Sequence, residues 1–285
     1  MKNALVIFNP VAGVKKWGNV KSIIQTTLKK EGYEYEWFET LKCEKQPLEQ
    51  FKSKKFDRII VSGGDGTVAE VSSFLIHNKI KTPLIILPQG SANILAVSLS
   101  LPLNLKSALL YGLRNKRKAL DAMQINNMQY GMICTGCGYD TLIMSKTPRS
   151  LKRKIGAWAY LWIFIKTIFL YRSKPYKLTI DGKRHVVVAK TILIFNILPL
   201  GHLKISKPFT KHQIIPNDGL LNIYVINPRP IRDFFRFSRH LLVFQGKKIS
   251  IKSKKKRQFQ IDGDVFKGKT MQIEVIPKAI NIVAK

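Results

Sequence analysis

Three short apolar runs, ALVIF (4–8), RIIVS (58–62) and LIILP (84–88), each stop abruptly at turn residues. Runs this short and this rich in branched side chains predict strands buried on both faces. Between them, residues 18–30 and 67–78 carry helical patterning. Strands alternating with helices predict a parallel sheet covered on both sides. Ligands of such sheets collect beyond the carboxyl ends of the strands. The turns NPVAG (9–13), SGGDGT (62–67) and PQGSAN (88–93) all fall at that edge.

After about residue 120 the period changes. KLTIDGKRHVVVAKTILIFN (177–196) alternates, turns at Asp181-Gly182 and continues as one long branched strand, which predicts a hairpin. GLLNIYVIN (219–227), RQFQIDGDVF (257–266) and MQIEVIP (271–277) read as further strands. The expectation is an α/β N-terminal domain with a parallel sheet, followed by a β-rich antiparallel C-terminal domain. The limits are 1–122 and 123–275, with 276–285 as a segment that can return to the first domain. Two stretches predict helices instead. IRDFFRFSRHLLVFQG (231–246) spaces Arg232, Arg236 and Arg239 along one face, and 155–171 is apolar around a lone Lys166. Seventeen residues with a central lysine are poorly suited to span a bilayer, so a packed or interfacial helix is expected.

Within this frame, SGGDGT raises a chemical question. A strand that ends in Gly63-Gly64 and opens a helix at Thr67 has the geometry of a phosphate loop. Glycine lets backbone approach an anion, and the helix start presents N–H groups to it. Asp65, set between glycines, would repel phosphate unless a metal or a ribose hydroxyl lies between. Magnesium with a nucleoside triphosphate meets that condition.

The motifs as a set resemble the diacylglycerol kinase-like lipid kinases, a family that includes sphingosine kinases and bacterial lipid kinases. They are NPVAG (9–13), SGGDGT (62–67), LPQGSANILA (87–96), LDAMQIN (120–126), GCGYDT (136–141), PNDGLLNI (216–223) and IDGD (261–264). The resemblance spans nearly the whole chain. It implies the NAD kinase/lipid kinase-like fold, with ATP and Mg2+ as cofactors and a lipid hydroxyl as acceptor of the γ-phosphoryl group. Gly63, Gly64, Asp65, Gly66 and Thr67 would hold the triphosphate, and Asn9, Gly90, Ser91 and Asn93 would complete the nucleotide pocket. The family's essential acid falls on Asp121 and its general base on Asp264. Asp65 is the acid beside the nucleotide metal, and a structural magnesium would use Asp218 with the carbonyl of Leu220.

The chain departs from the family pattern in four places. Ser91 stands where many relatives have threonine, Ile94 where many have aspartate, and Asp264 where glutamate is commoner. Ile215 occupies a position that often supplies a further acid to the structural metal. Asp181, Asp218 and Asp262 each precede a glycine, so a plain turn role stays open for them.

Charge then narrows the partners. The 285 residues carry 49 Lys and Arg against 17 Asp and Glu, a net of +32. Residues 1–70 hold 12 basic and 9 acidic residues; the remainder hold 37 and 8, so the excess lies in the later part. Such a field attracts polyanions. For a lipid kinase the fitting partner is an anionic membrane surface, met through Lys146 to Lys154, the arginines of 231–239 with Phe234, Phe235 and Phe237, or KSKKKR (252–257). That gives a cytoplasmic protein bound peripherally to the inner face of the membrane, with nucleotide and lipid as partners, no nucleic acid expected and a homodimer allowed. The alternatives are a kinase of a soluble acceptor such as NAD or a polyol, and a non-catalytic membrane- or nucleic-acid-binding relative. Cys43, Cys134 and Cys137 form no disulfide framework, and CTGC (134–137) reads as a buried strand pair. MKNALVIFNP is too short for a signal peptide and reads as a first strand.

Overall fold

Parallel register sets the first half of the molecule. In the computed structural model, which describes residues 2–13, 17–41, 47–139, 141, 171–197, 215–227 and 241–284, β1 (Lys2–Phe8) leads through α1 (Trp17–Lys30) into β2 (Tyr33–Glu39). A 3-10 turn (Leu48–Phe51) precedes β3 (Arg58–Gly63), α2 (Asp65–His77), β4 (Leu84–Pro88), α3 (Ile94–Ser98) and α4 (Leu105–Arg114). β1 pairs in parallel with β2 and β3, and β3 with β4. Phe8 stands opposite Ser62, and Gly63 opposite Pro88, so the three strands end together. The chain's last strand closes the far edge, with Ile282 beside Leu84.

In this sheet β1, β3 and β4 are buried on both faces, which is why they read as unbroken apolar runs, whereas β2 alternates and is mostly exposed or half-buried. Val6, Ile60 and Ile85 pack with Ile24, Leu28, Ala108 and Leu109 of α1 and α4. Leu5, Ile7, Val61 and Ile86 are buried on the other face, and α2 adds Val68, Val71 and Leu75 to the buried set. Each such side chain is worth about 1.5–3 kcal/mol over its exposed state. α4 lies so close that a Cβ on Gly112 would come 2.3 Å from Ile85 Cγ2. The helix starts at a cap, where Asn104 Oδ1 accepts from the Ser107 amide at 3.2 Å.

From β5 (Arg117–Ile125) onward the pairing is antiparallel, apart from the parallel contact of the last strand with β4. β6 (Gln129–Gly131) pairs with β5, and β7 (Cys134–Gly138) pairs with β10 and β13. β8 (Lys174–Ile180) and β9 (Lys183–Ala189) form a hairpin, followed by β10 (Thr191–Phe195), β11 (Leu221–Ile226), β12 (Leu241–Gly246), β13 (Lys248–Ile261) and β14 (Asp264–Val283). The order β12-β11-β10-β7-β13-β14 makes one sheet, and β8 pairs with β13. Tyr176, Leu178, Ile192, Ile223, Ile251 and Phe259 fill its core. Of the described residues, 2–120 and 278–284 form one compact unit, and 121–197 and 215–277 form the other.

Two expectations change here, and that of a buried cysteine strand pair holds except that Cys134 is only half-buried. Residues 241–246 of the stretch expected to be helical are the strand β12, paired with β11 from Leu221↔Gly246 to Ile226↔Leu241. Arginines at helical spacing set that expectation, and the partner strand overrides it. The single branched strand expected after Gly182 is two, β9 and β10, broken at Lys190, whose amide donates to Ile226 O. Cys134 and Cys137 are free thiols on β7, the first half-buried and the second buried. Cys43, Asp140, Lys146 to Lys154, the apolar segment up to Leu170 and residues 231–239 lie outside the described residues.

Candidate active site

The loops that leave β1, β3 and β4 interlock through glycine. A Cβ on Gly13, at φ +82°, would stand 2.5 Å from Gln89 O; one on Gly90 would stand 2.6 Å from Gly64 Cα. One on Gly63 would stand 2.6 Å from Thr67 Cβ. Backbone bonds continue the ties, from Asn9 N to Ser62 O at 2.8 Å and from Gln89 N to Gly63 O at 2.9 Å. These glycines are explained by packing alone. Gly66 is different: it is exposed, and a Cβ there would meet none of the described residues within 4 Å. The described residues leave the ground beside the start of α2 clear.

Side chains brace the same edge. Asn9 Nδ2 donates to Thr67 Oγ1 at 2.7 Å, while Asn9 Oδ1 accepts from the Val11 amide at 2.9 Å. Asn93 sits in the left-handed region (φ 48°, ψ 45°) and its amide closes the last loop, accepting from Gly90 N and donating to Gly90 O, each at 2.8 Å. Ser91 is exposed. Asp65 Oδ1 accepts from the Leu95 amide at 3.4 Å, so the carboxylate spans from the start of α2 to the start of α3. Burial pushes its pKa above the ordinary carboxylate value, and the amides of Leu95, Ile94, Asn93 and Asp65 itself pull against that rise.

The acids of the second unit fall into two kinds. Asp121 is fully buried and holds a turn: its Oδ2 accepts from Gly219 N at 2.7 Å, and its own amide donates to Pro216 O at 2.8 Å. Asp218 in that turn accepts from the Leu220 amide at 2.9 Å and is exposed. The structure thus brings Asp121, Asp218 and Leu220 together. Asp264 opens β14 opposite Ile261 and is exposed, and its carboxylate has no hydrogen-bond or ion-pair partner among the described residues. Two residues earlier, Asp262 takes three amides, Met132 at 2.6 Å on Oδ2, and Ile133 at 2.9 Å and Cys134 at 2.8 Å on Oδ1. Among the described residues no three His, Cys, Asp or Glu side chains gather as a metal cluster.

Two supports were not singled out from sequence. Asn196, almost fully buried, donates from Nδ2 to Asp121 O at 2.8 Å and to Met132 O at 2.9 Å. An asparagine closing an otherwise branched strand was the available signal. Asp262 looked like a turn acid; its grip on the β6–β7 connection has no local signature.

Comparisons with known proteins fit this arrangement. Residues 3–125 match the family model of the diacylglycerol kinase catalytic domain, and 133–284 that of the YegS C-terminal NAD kinase beta sandwich-like domain. A Yersinia enterocolitica protein named as a YegS-like lipid kinase is 30% identical over 237 residues, 79% of this chain and 77% of that protein. A Staphylococcus aureus protein with a lipid kinase name is 28% identical over 243 residues, 81% of this chain and 78% of its own. In fold, a Bacillus anthracis protein described as a diacylglycerol kinase superposes with a TM-score of 0.83 at 24% identity, covering 100% of this chain and 97% of that one.

Proposed function

The chain belongs to the diacylglycerol kinase-like lipid kinases, phosphotransferases with an alcohol group as acceptor, and from that premise we propose transfer of the ATP γ-phosphoryl group to a diacylglycerol-like lipid hydroxyl at an anionic membrane surface. The observation that carries the reading is the clear ground at Gly66 beside the α2 N-terminus, among loops that glycines elsewhere lock together. A helix start with free approach suits a phosphate chain.

In this reading Gly63, Gly64, Gly66 and Thr67 form the triphosphate cradle with Asn9, Gly90, Ser91 and Asn93 shaping its walls. Asn9 and Asn93 act mainly by holding loops, since their amides are engaged with Thr67, Val11 and Gly90. Asp65 is the carboxylate available to a magnesium ion there, oriented by the amides of 93–95. Bound magnesium would supply neutralisation of phosphate charge. Asp218 and the Leu220 carbonyl are a sparse donor set for a second ion, so water would supply most of its ligands. Asp264, whose carboxylate is exposed and has no partner among the described residues, takes the proton of the acceptor hydroxyl as that hydroxyl's oxygen bonds to the γ-phosphorus and ADP leaves. Asp121 positions the 216–220 turn. The strongly basic later part of the chain favours a cytoplasmic enzyme that docks on anionic lipid. No helix among the described residues is long and apolar enough to cross a membrane.

The test is transfer of label from γ-labelled ATP to a lipid extract, with products identified by mass spectrometry. Label in lipid is expected for the wild type, with a loss of about 10²-fold or more in Asp264→Ala and Asp65→Ala. Alanine variants as active as wild type would overturn the assigned roles. Label moving to NAD or glycerol at a rate indifferent to vesicles would overturn the lipid acceptor.

A further inference from the structure

Strand β13 carries Lys252, Lys254, Lys255, Lys256 and Arg257, and its pairing with β14 breaks register between Lys252 and Arg257. A bulge of this kind turns side chains out of the ladder. Here it gathers cations, because the strand opposite brings Lys267 and Lys269. Beside the bulge lies a cavity of about 190 Å³, lined by Tyr171, Lys174, Lys256, Arg257 and Gln258 among others. Lys174 Nζ donates to Tyr171 OH and lies 4.4 Å from that ring's centroid. Neither Lys174, Lys256 nor Arg257 has a carboxylate within ion-pair distance among the described residues.

Arg257 adds the telling detail. Its Nε is buried with no hydrogen-bond partner among the described residues. A buried charged donor without an acceptor is costly, and a bound anion or water is one way of completing it; Arg58 Nε is in the same state, and Arg257 lines the cavity beside the bulge. Elsewhere in this unit Asp181 is engaged by the Lys247 and Lys248 amides, and Glu274 by Lys248. The cavity is therefore a cationic site whose counter-charge the described chain does not supply. Three cations, one of them a guanidinium fork with a vacant donor, match a phosphate oxyanion.

We propose that this pocket binds the phosphodiester of an anionic phospholipid headgroup, with Arg257 as the principal contact and Lys174 and Lys256 flanking it. A free phosphate offers the same chemistry. The lipid is favoured because Lys252, Lys254, Lys255, Lys267 and Lys269 are exposed on β13 and β14, the strands at the register break beside the pocket, and spread charge over more surface than one small anion covers. The site rests on the membrane part of the preceding reading and not on phosphoryl transfer.

Cosedimentation without nucleotide tests it, using vesicles of phosphatidylglycerol in phosphatidylcholine and of phosphatidylcholine alone. Wild type is compared with Arg257→Gln, Lys256→Gln and the charge-matched control Lys116→Gln, which is exposed in the other unit. Arg257→Gln is expected to weaken partition to phosphatidylglycerol about tenfold, and Lys116→Gln less than about twofold. Equal losses in the two would mean a diffuse field and overturn the pocket. Failure of wild type to bind either vesicle would overturn membrane docking itself. If inorganic phosphate then raises the melting temperature of wild type but not of Arg257→Gln, the pocket takes a soluble anion and the lipid assignment is lost. Tighter, Arg257-dependent binding to duplex DNA would overturn it as well. Should Arg257→Gln misfold, Lys256→Gln and Lys174→Gln read the same cavity.

Discussion

The dipeptide Asp-Gly serves opposite ends in the two halves of the molecule. In the first unit Asp65-Gly66 follows an extended Gly64 and opens a helix; Gly66 needs no unusual backbone and has open space around it. In the second unit Asp181-Gly182 and Asp262-Gly263 are the two-residue turns of hairpins, with φ of 45° and 84°, and of 47° and 102°. Positive φ at both turn positions suits the right-handed twist of the strands they join. The carboxylates follow the same division. Asp181 and Asp262 are filled by amides of a neighbouring loop, whereas Asp65 is half-buried and its desolvation disfavours the charge. A glycine kept for turning and a glycine kept for access are the same letter with different tests.

The largest separation is expected between Asp262 and Asp264, two residues apart at one turn. Asp264→Ala should lower phosphoryl transfer by about 10²–10⁴-fold and leave stability within about 0.5 kcal/mol, since an exposed side chain without partners is removed. Asp262→Ala should instead cost about 2–4 kcal/mol of stability, because the Met132, Ile133 and Cys134 amides lose a charged acceptor. Urea melts beside initial rates distinguish the two. Were the signatures exchanged, Asp262 would be the base and Asp264 a strut.

The two glycines should part less widely but in opposite directions. Gly263→Ala forces an alanine to φ near +102° and is expected to cost about 1 kcal/mol, with little change in nucleotide affinity. Gly66→Ala has room for its methyl and places a better helix former near the start of α2, so equal or slightly higher stability is expected. Its rate should fall about tenfold to a hundredfold, because the methyl occupies the approach to the helix N-terminus. A Gly66→Ala protein with full activity would remove the observation on which the kinase cradle rests.

Much of this was legible because it is local. Short branched runs stopped by turn residues marked β1, β3 and β4 and the edge where their loops meet, and α1 and α2 begin within two residues of the expected positions. Asp181-Gly182 announced its hairpin. What stayed hidden depends on partners distant in sequence. Leu241–Gly246 is a strand because Leu221–Ile226 offers it an antiparallel edge, and no local period reports that. The ties from Asp121 to Gly219 and from Asp262 to Met132 run across 98 and 130 residues. Asn93 reads as a pocket residue, yet its amide closes its own loop, a role that requires the left-handed backbone to be known.

The subtlest difference between the two Asp-Gly classes is in pH. Burial raises the carboxyl pKa of Asp65, so its protonated form favours the fold. The stability gained from that proton is fully present below the unfolded carboxylate pKa, about 3.9, and is lost as pH rises through the higher folded value. At neutral pH the wild type therefore carries an ionised group that its surroundings disfavour. Asp65→Asn is neutral throughout, and its Oδ1 can still accept from the Leu95 amide. The variant's stability relative to wild type should be lowest in acid, climb through the folded pKa and level off above it, while activity is lost at every pH. Melts at intervals from pH 4 to pH 8 measure the trend. A relative stability that falls with pH would mean that the amides of 93–95 outweigh burial. Asp65 would then be a strut of the Asp262 kind, with its charge satisfied by the fold and no strain reserved for a ligand.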